Sequence, residues 1–169
     1  MPDIEDCRQS LRTWIKKIFT DKQVLFSGLN ADQPNESYFS IKLIRTKWYP
    51  HPVETIISDE EETVAGYAKL FFSIQYIGGT DPRTILQRLT SSFDSIGAEL
   101  FFYSAEMGIC GPTGEIIDVP VIDGQEWEER AAMTMTFDVI VTDIFAPEFA
   151  TSAEITINGD EVVTISRDE

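Results

Sequence analysis

Histidine, cysteine and, in the second half of the chain, basic residues are what this 169-residue sequence has least of. With one histidine, His51, neither a zinc site of the usual Cys/His kinds nor a well-supported Ser-His-Asp triad is expected, which removes most hydrolase chemistry. The two cysteines, Cys7 and Cys110, form no CxxC pair and cannot build a disulfide framework, so both read as reduced thiols. No apolar run approaches the ~20 residues that a membrane span needs. The start, Met1-Pro2-Asp3-Ile4-Glu5-Asp6, lacks the cationic and apolar stretches of a secretory signal. Neither membrane contact nor export from the cell in which it is made is expected.

Glycine and proline are also sparse, at 10 and 8 residues, while 43% of the chain is hydrophobic and 11% aromatic, a composition that excludes disordered and fibrous classes. A chain of this length buries roughly 70% of its unfolded surface, enough for one domain with a sizeable core. A single domain over 1–169 is expected, with its core at about 3–143 and a C-terminal hairpin at about 152–166.

The net charge of −16 is unevenly spread. Residues 1–88 hold 11 Lys/Arg and 12 Asp/Glu, whereas residues 89–169 hold only Arg130 and Arg167 against 17 Asp/Glu, a balance of −15. Such a half repels phosphate, so tight direct binding to nucleic acid is not expected. The simplest use of that charge is a solubilising surface.

Over about 3–20, Ile4, Cys7, Leu11, Trp14, Ile15, Ile18 and Phe19 recur at helical spacing opposite Arg8, Arg12, Lys16 and Lys17, predicting an amphipathic helix capped by Asp3. Val24-Leu25-Phe26 reads as a short strand followed by a turn-rich loop. Residues 38–49 and 68–77 alternate as strands with one buried face. Between them lies His51-Pro52 and then Ser58-Asp59-Glu60-Glu61-Glu62, a polar stretch expected to project as a loop or extended hairpin, with Asp59, Glu60, Glu61 and Glu62 as a contact arm. Asp81 and Pro82 open a second helix whose stripe is Ile85, Leu86, Leu89, Phe93 and Ile96, with Gly97 ending it. A strand is expected at Glu99-Leu100-Phe101-Phe102-Tyr103, completing a strand, helix, strand crossover. The longest strand pattern runs over 127–143, with Trp127, Ala131, Met133, Met135, Phe137, Val139 and Val141 on one face. Asn158-Gly159 centres a closing hairpin whose register the sequence leaves open. The expected architecture is α+β: a mixed, mainly antiparallel sheet with two helices packed on one face.

Three groupings invite a chemical reading, and each has a simpler one. Gly78-Gly79-Thr80 precedes a helix like a phosphate cradle, but no Walker lysine follows and Asp81 puts a carboxylate where phosphate would sit. Asp118, Asp123, Glu126, Glu128 and Glu129 are acidic neighbours, yet no DxDxDG calcium loop is present and solvated rim carboxylates account for them. Arg130 stands alone among acids; a local or intersubunit salt bridge accounts for it better than catalysis, since no nucleophile or base is arranged around it. No catalytic residue, metal ligand or cofactor is expected.

The order of these elements, the segment Phe72-Ser73-Ile74-Gln75-Tyr76-Ile77-Gly78 leading into a helix, and Pro120 followed by Trp127-Glu128-Glu129-Arg130-Ala131 opening a long strand together resemble the neck or tail terminator proteins of tailed bacteriophages. The resemblance spans about residues 5–143; the acidic loop from Asp59 to Glu62 departs from the usual pattern. It implies a non-enzymatic virion protein, assembled in the host cytoplasm, that forms a hexameric ring on the tail, stops tail polymerisation and joins the tail to the head-side connector. The implied partners are further copies of itself, tail tube and sheath proteins, the connector, and DNA in transit through the lumen. Carboxylates lining such a lumen would let DNA slide without sticking. On this reading Trp127, Glu129 and Arg130 belong to the subunit contact. The alternatives are another head-tail joining or tail-completion protein, an acidic inhibitor that mimics DNA, and, last, a magnesium-dependent phosphatase or nuclease.

Overall fold

The computed structural model describes residues 3–27, 34, 36–57, 62–123, 126–145, 152–157 and 161–166. In chain order the elements are α1 (Ile4–Ile18), β1 (Gln23–Phe26), β2 (Tyr38–Ile57), β3 (Glu62–Ile77), α2 (Pro82–Phe93), α3 (Ile96–Ser104), β4 (Met107–Pro112), β5 (Ile117–Asp118), β6 (Val121–Asp123), β7 (Glu126–Glu128), β8 (Arg130–Phe145), β9 (Ser152–Ile157) and β10 (Glu161–Ser166). The main sheet runs β1-β2-β3-β8-β4, with β5 also paired to β8. Within it only β1 and β2 are parallel; the other pairs are antiparallel, as expected.

α1 forms where the sequence pattern placed it. The Asp3 side chain accepts from the Asp6 N–H at 2.7 Å and the Asp6 carboxylate accepts from the Asp3 N–H at 3.2 Å, a reciprocal cap that satisfies two donors the helix leaves free. Cys7, Leu11, Trp14 and Ile15 are its buried face. α1 packs over β1 and β2, α2 over β3 and β8, and α3 against β4. Alternate residues of the two central strands complete the core: Ala68, Leu70, Phe72, Ile74 and Tyr76 from β3, and Ala131, Met133, Met135, Phe137 and Val139 from β8. Phe102 of α3 joins this core, with ring centroids 5.0 Å from Phe137, 5.7 Å from Phe93 and 5.8 Å from Trp14. The Trp14 indole N–H donates to Ser92 Oγ at 3.1 Å, so burial leaves that donor paired.

Three expectations are corrected here. α2 stops at Phe93, not at Gly97, and Ile96 is exposed instead of lying in its buried stripe. The Ser95 side chain accepts from the Ala98 N–H at 3.1 Å and thereby starts a new helix in which Gly97 is an interior residue. Residues 99–103 are accordingly helical, not a strand, and the chain has three helices among the described residues instead of two. The run misled because its apolar residues fall on both sides of α3, which erases the helical period. β4 takes the place of the expected strand: β3 and β4 both run antiparallel to β8, so the connection through α2 and α3 is a crossover that spans β8. Finally, the long strand begins at Arg130, and β6 and β7 pair with each other as a separate two-stranded antiparallel sheet, Ile122 in register with Trp127.

The stretch after Trp48 is an extended hairpin. β2 and β3 pair out to Ile57 opposite Glu62, with irregularities after Leu43, Trp48 and Pro52. β1 covers β2 only from Tyr38 to Ile41, so beyond Ile41 β2 is an edge strand among the described residues. That is where Pro50 and Pro52 are tolerated, since neither has an N–H to offer a neighbour. The arm's tip, Asp59, Glu60 and Glu61, lies outside the described residues. At the C-terminus Ile157 faces Glu161, which puts three residues in the connection of the closing hairpin and settles its register.

Candidate interaction surfaces

The start of β8 gathers residues from four elements. Arg130 Nε donates to Glu128 Oε2 at 2.8 Å, and a terminal guanidinium N–H donates to the same oxygen. The salt bridge is therefore local, one of the two forms the sequence allowed. Glu129 is exposed, and its carbonyl accepts from the Gly78 N–H at 2.9 Å, which ties the end of β3 to the start of β8. Gly78 and Gly79 make that turn at φ of 78° and 85°, the left-handed region that glycine enters without strain. Val119 N–H donates to the Arg130 carbonyl at 2.8 Å, and Arg83 reaches Asp118 Oδ2 at 3.1 Å.

Together Asp81, Pro82, Arg83, Asp118, Pro120, Glu129 and Arg130 line a cleft of about 350 Å³ at the N-terminus of α2. Of the expected contact residues, Glu129 and Arg130 thus share one surface; Trp127 lies in β7, one residue before Glu128. Glu62 opens β3 beside the arm's tip, remote in the sheet from Arg130, which pairs with Ile77 at the opposite end of the strand.

The cleft does not offer an anion cradle. Asp81 caps α2 with its own carboxylate, accepting from the Thr84 N–H at 3.1 Å, and hydrogen bonding from Thr84 holds Asp81 below the usual carboxylate range. Its φ of 143° is a conformation that costs a non-glycine residue strain, so the cap is held in place by its surroundings. Among the described residues no group of three or more His, Cys, Asp or Glu is placed to hold a metal ion. Neither thiol is activated: burial, with Asp6 and Asp3 nearby, pushes Cys7 up to about 12, and burial followed by Asp138 raises Cys110. No described helix is long and apolar enough to cross a membrane.

Sequence reasoning missed two further surfaces. α3 shows solvent Ile96, Leu100 and Tyr103, and β2 shows Lys42, Arg45, Lys47 and Tyr49. The signal for the first was the absence of any polar face in residues 96–103 apart from Glu99; the signal for the second was a run, 38–53, with three cations and no carboxylate.

The model of the phage neck terminator protein family matches residues 5–162, from α1 into β10. No curated protein matches the sequence.

Proposed function

The chain belongs to the phage neck terminator protein family, whose members are structural components of the virion neck and tail and not enzymes, and from that premise we propose that it closes into a ring on the end of the tail tube. A terminator completes the tail, so it contacts tail proteins on one side and neck proteins on the other. In the proposed ring, polymerisation of tube and sheath stops at this layer, the head-side connector docks above it, and DNA passes through the lumen. The observation that carries the reading is the family match over nearly the whole chain. The charge of residues 89–169 supports the lumen role, since carboxylates facing the channel would keep DNA phosphates from binding.

A closed ring needs two different, complementary patches on each subunit. Trp127, Glu129 and Arg130, at the junction of β7 and β8, are proposed as one contribution to that contact. Asp59, Glu60, Glu61 and Glu62, at the end of the β2–β3 hairpin, are proposed as an arm toward a tail or neck protein.

Native mass spectrometry of the purified protein over a range of concentration and salt, with and without isolated tail tubes, tests the ring. A discrete closed oligomer, hexameric by the expected symmetry, is the predicted species; a monomer under every condition, tubes included, overturns the proposal. Arg130→Glu places a third carboxylate beside Glu128 and Glu129 and is expected to reduce ring formation while the monomer stays folded. Assembly at the wild-type level would remove Arg130 from the contact.

A further inference from the structure

α3 is apolar on two sides. Ala98 and Phe102 are fully buried, yet Ile96, Leu100 and Tyr103, spaced at i, i+4 and i+7, are 75%, 63% and 80% exposed. A helix apolar all round is ordinarily covered all round, and apolar groups aligned on a surface mark an interaction face. Exposed Asp94, Glu99 and Glu106 flank this one, and residues 89–129 contain no Lys or Arg. Beside Tyr103 the surface runs into a cleft of about 620 Å³, walled by Tyr67, Met107, Val139 and Ile140.

The opposite charge stands on β2. Lys42 is paired with Ser73, Arg45 with Phe71 and Lys47 with Lys69, all odd positions of β3, so the three cations share the face turned away from the helices. Strict alternation would send Lys42 and Arg45 to opposite faces; the irregularity after Leu43 inserts the one residue that brings them together. Arg45 lies 5.4 Å from the Phe71 ring centroid and Lys47 5.7 Å from that of Tyr49, so the cations are spread over aromatic surface. Residues 38–53 contain no Asp or Glu. Lysines on an edge strand, and prolines that follow them as Pro50 and Pro52 do here, are features that blunt strand addition, so this stretch suits side-chain docking. In the sheet β3 and β8 separate β2 from β4, the strand α3 packs against, so the two surfaces stand on different flanks.

We propose that the α3 face of one copy docks on the Lys42–Tyr49 face of β2 in a second copy, as a head-to-tail contact of the assembled ring. The inference rests on the ring reading and names surfaces for it. Three carboxylates then meet three cations around an apolar centre, an arrangement that steers encounter and sets register while apolar burial supplies affinity. Two distinct patches on different flanks are also what a heterologous contact requires.

The test uses two variants of the full chain, Leu100→Arg to block α3 and Arg45→Glu with Lys47→Glu to block β2. Both alter exposed positions, so circular dichroism and thermal midpoints are expected to match wild type; if Leu100→Arg disturbs the fold, Glu99→Lys replaces it. Each variant alone is expected to need roughly thirty-fold more protein to assemble, free or on isolated tail tubes, the penalty of one lost hot spot. Mixed, they keep one intact half-contact between them and are expected to form a one-to-one dimer that grows no further. If wild type closes into a ring and either variant does so at the same concentration, the contact is wrong and the ring stands. If the variants are blocked but no dimer forms on mixing, the two faces do not meet each other. Rings intact but unable to attach to tail tubes would assign the α3 face to a tail protein. Failure of wild type to close anywhere, with no dimer from the mixture, overturns contact and ring together.

Discussion

α2 and α3 are consecutive helices on the same sheet, and they meet solvent in opposite ways. α2 buries Pro82, Leu86, Leu89 and Phe93 and turns Arg83, Gln87, Arg88 and Ser91 outward. α3 buries Ala98 and Phe102 and turns Ile96, Leu100 and Tyr103 outward. One helix presents a finished monomer surface; the other carries apolar surface that folding of a single chain leaves uncovered. Folding and assembly have drawn on the two sides of α3 separately, so changes on each side separate the two processes.

The strongest way to break that contrast is Phe102→Ala. It removes a fully buried ring that touches Trp14, Phe93 and Phe137, and is expected to cost about 3–5 kcal/mol in chemical denaturation. Leu86→Ala in α2 is expected to cost about 2–5 kcal/mol, because the inner faces of the two helices are equivalent.

The caps come next. Ser95→Ala is expected to lose about 1 kcal/mol at any pH, since the hydroxyl does not titrate. Asp81→Ala also destabilises at neutral pH, but its deficit depends on pH. The folded-state pKa of Asp81 is lowered, so its contribution is present above the ordinary value of 3.8 and is lost as pH falls through the folded value. Denaturation curves of Asp81→Ala and wild type are therefore expected to converge on acidification, while those of Ser95→Ala and wild type keep their separation.

Gly97→Ala sharpens the contrast in the other direction. A Cβ at Gly97 would meet only Ser95 Oγ, at an ordinary 3.8 Å, so alanine is expected to stabilise by about 0.4–1 kcal/mol. Had Gly97 ended the preceding helix in a left-handed conformation, the same change would destabilise. The smallest effect is that of Leu100→Ser, expected within about 0.5 kcal/mol of wild type in monomer stability. Its weight should fall on assembly instead.

The same contrast explains which parts of the fold were legible. α1 and α2 each bury one stripe and carry a carboxylate cap, and β3 and β8 alternate because only one face is covered by helices; single-sided burial leaves a period in the sequence. α3 has none to leave, and its run Leu100-Phe101-Phe102-Tyr103 imitates a strand. The start of β8 was placed three residues early because Trp127 keeps the parity of Ala131, and parity carries over from β7 through Glu129 without showing the break in pairing. At the site, the acidic surroundings of Arg130 announced a salt bridge, but its partner, Glu128, is two residues away on a different strand. The gathering of Asp118 and Arg83 at the same cleft depends on β5 pairing with β8, a contact between distant parts of the chain that local pattern does not encode. The shared face of Lys42, Arg45 and Lys47 was hidden for a related reason, since it depends on an irregularity that only pairing reveals.

The two prolines of β2 have a bearing on the life of the protein before it reaches a tail. A long open strand edge recruits any passing strand, and the result is growth without limit. Pro50 and Pro52 carry no backbone N–H, and proline on an edge strand is one of the ways proteins blunt such an edge against a second chain. For a member of a family that completes tails, a blunted edge works against starting a polymer of its own.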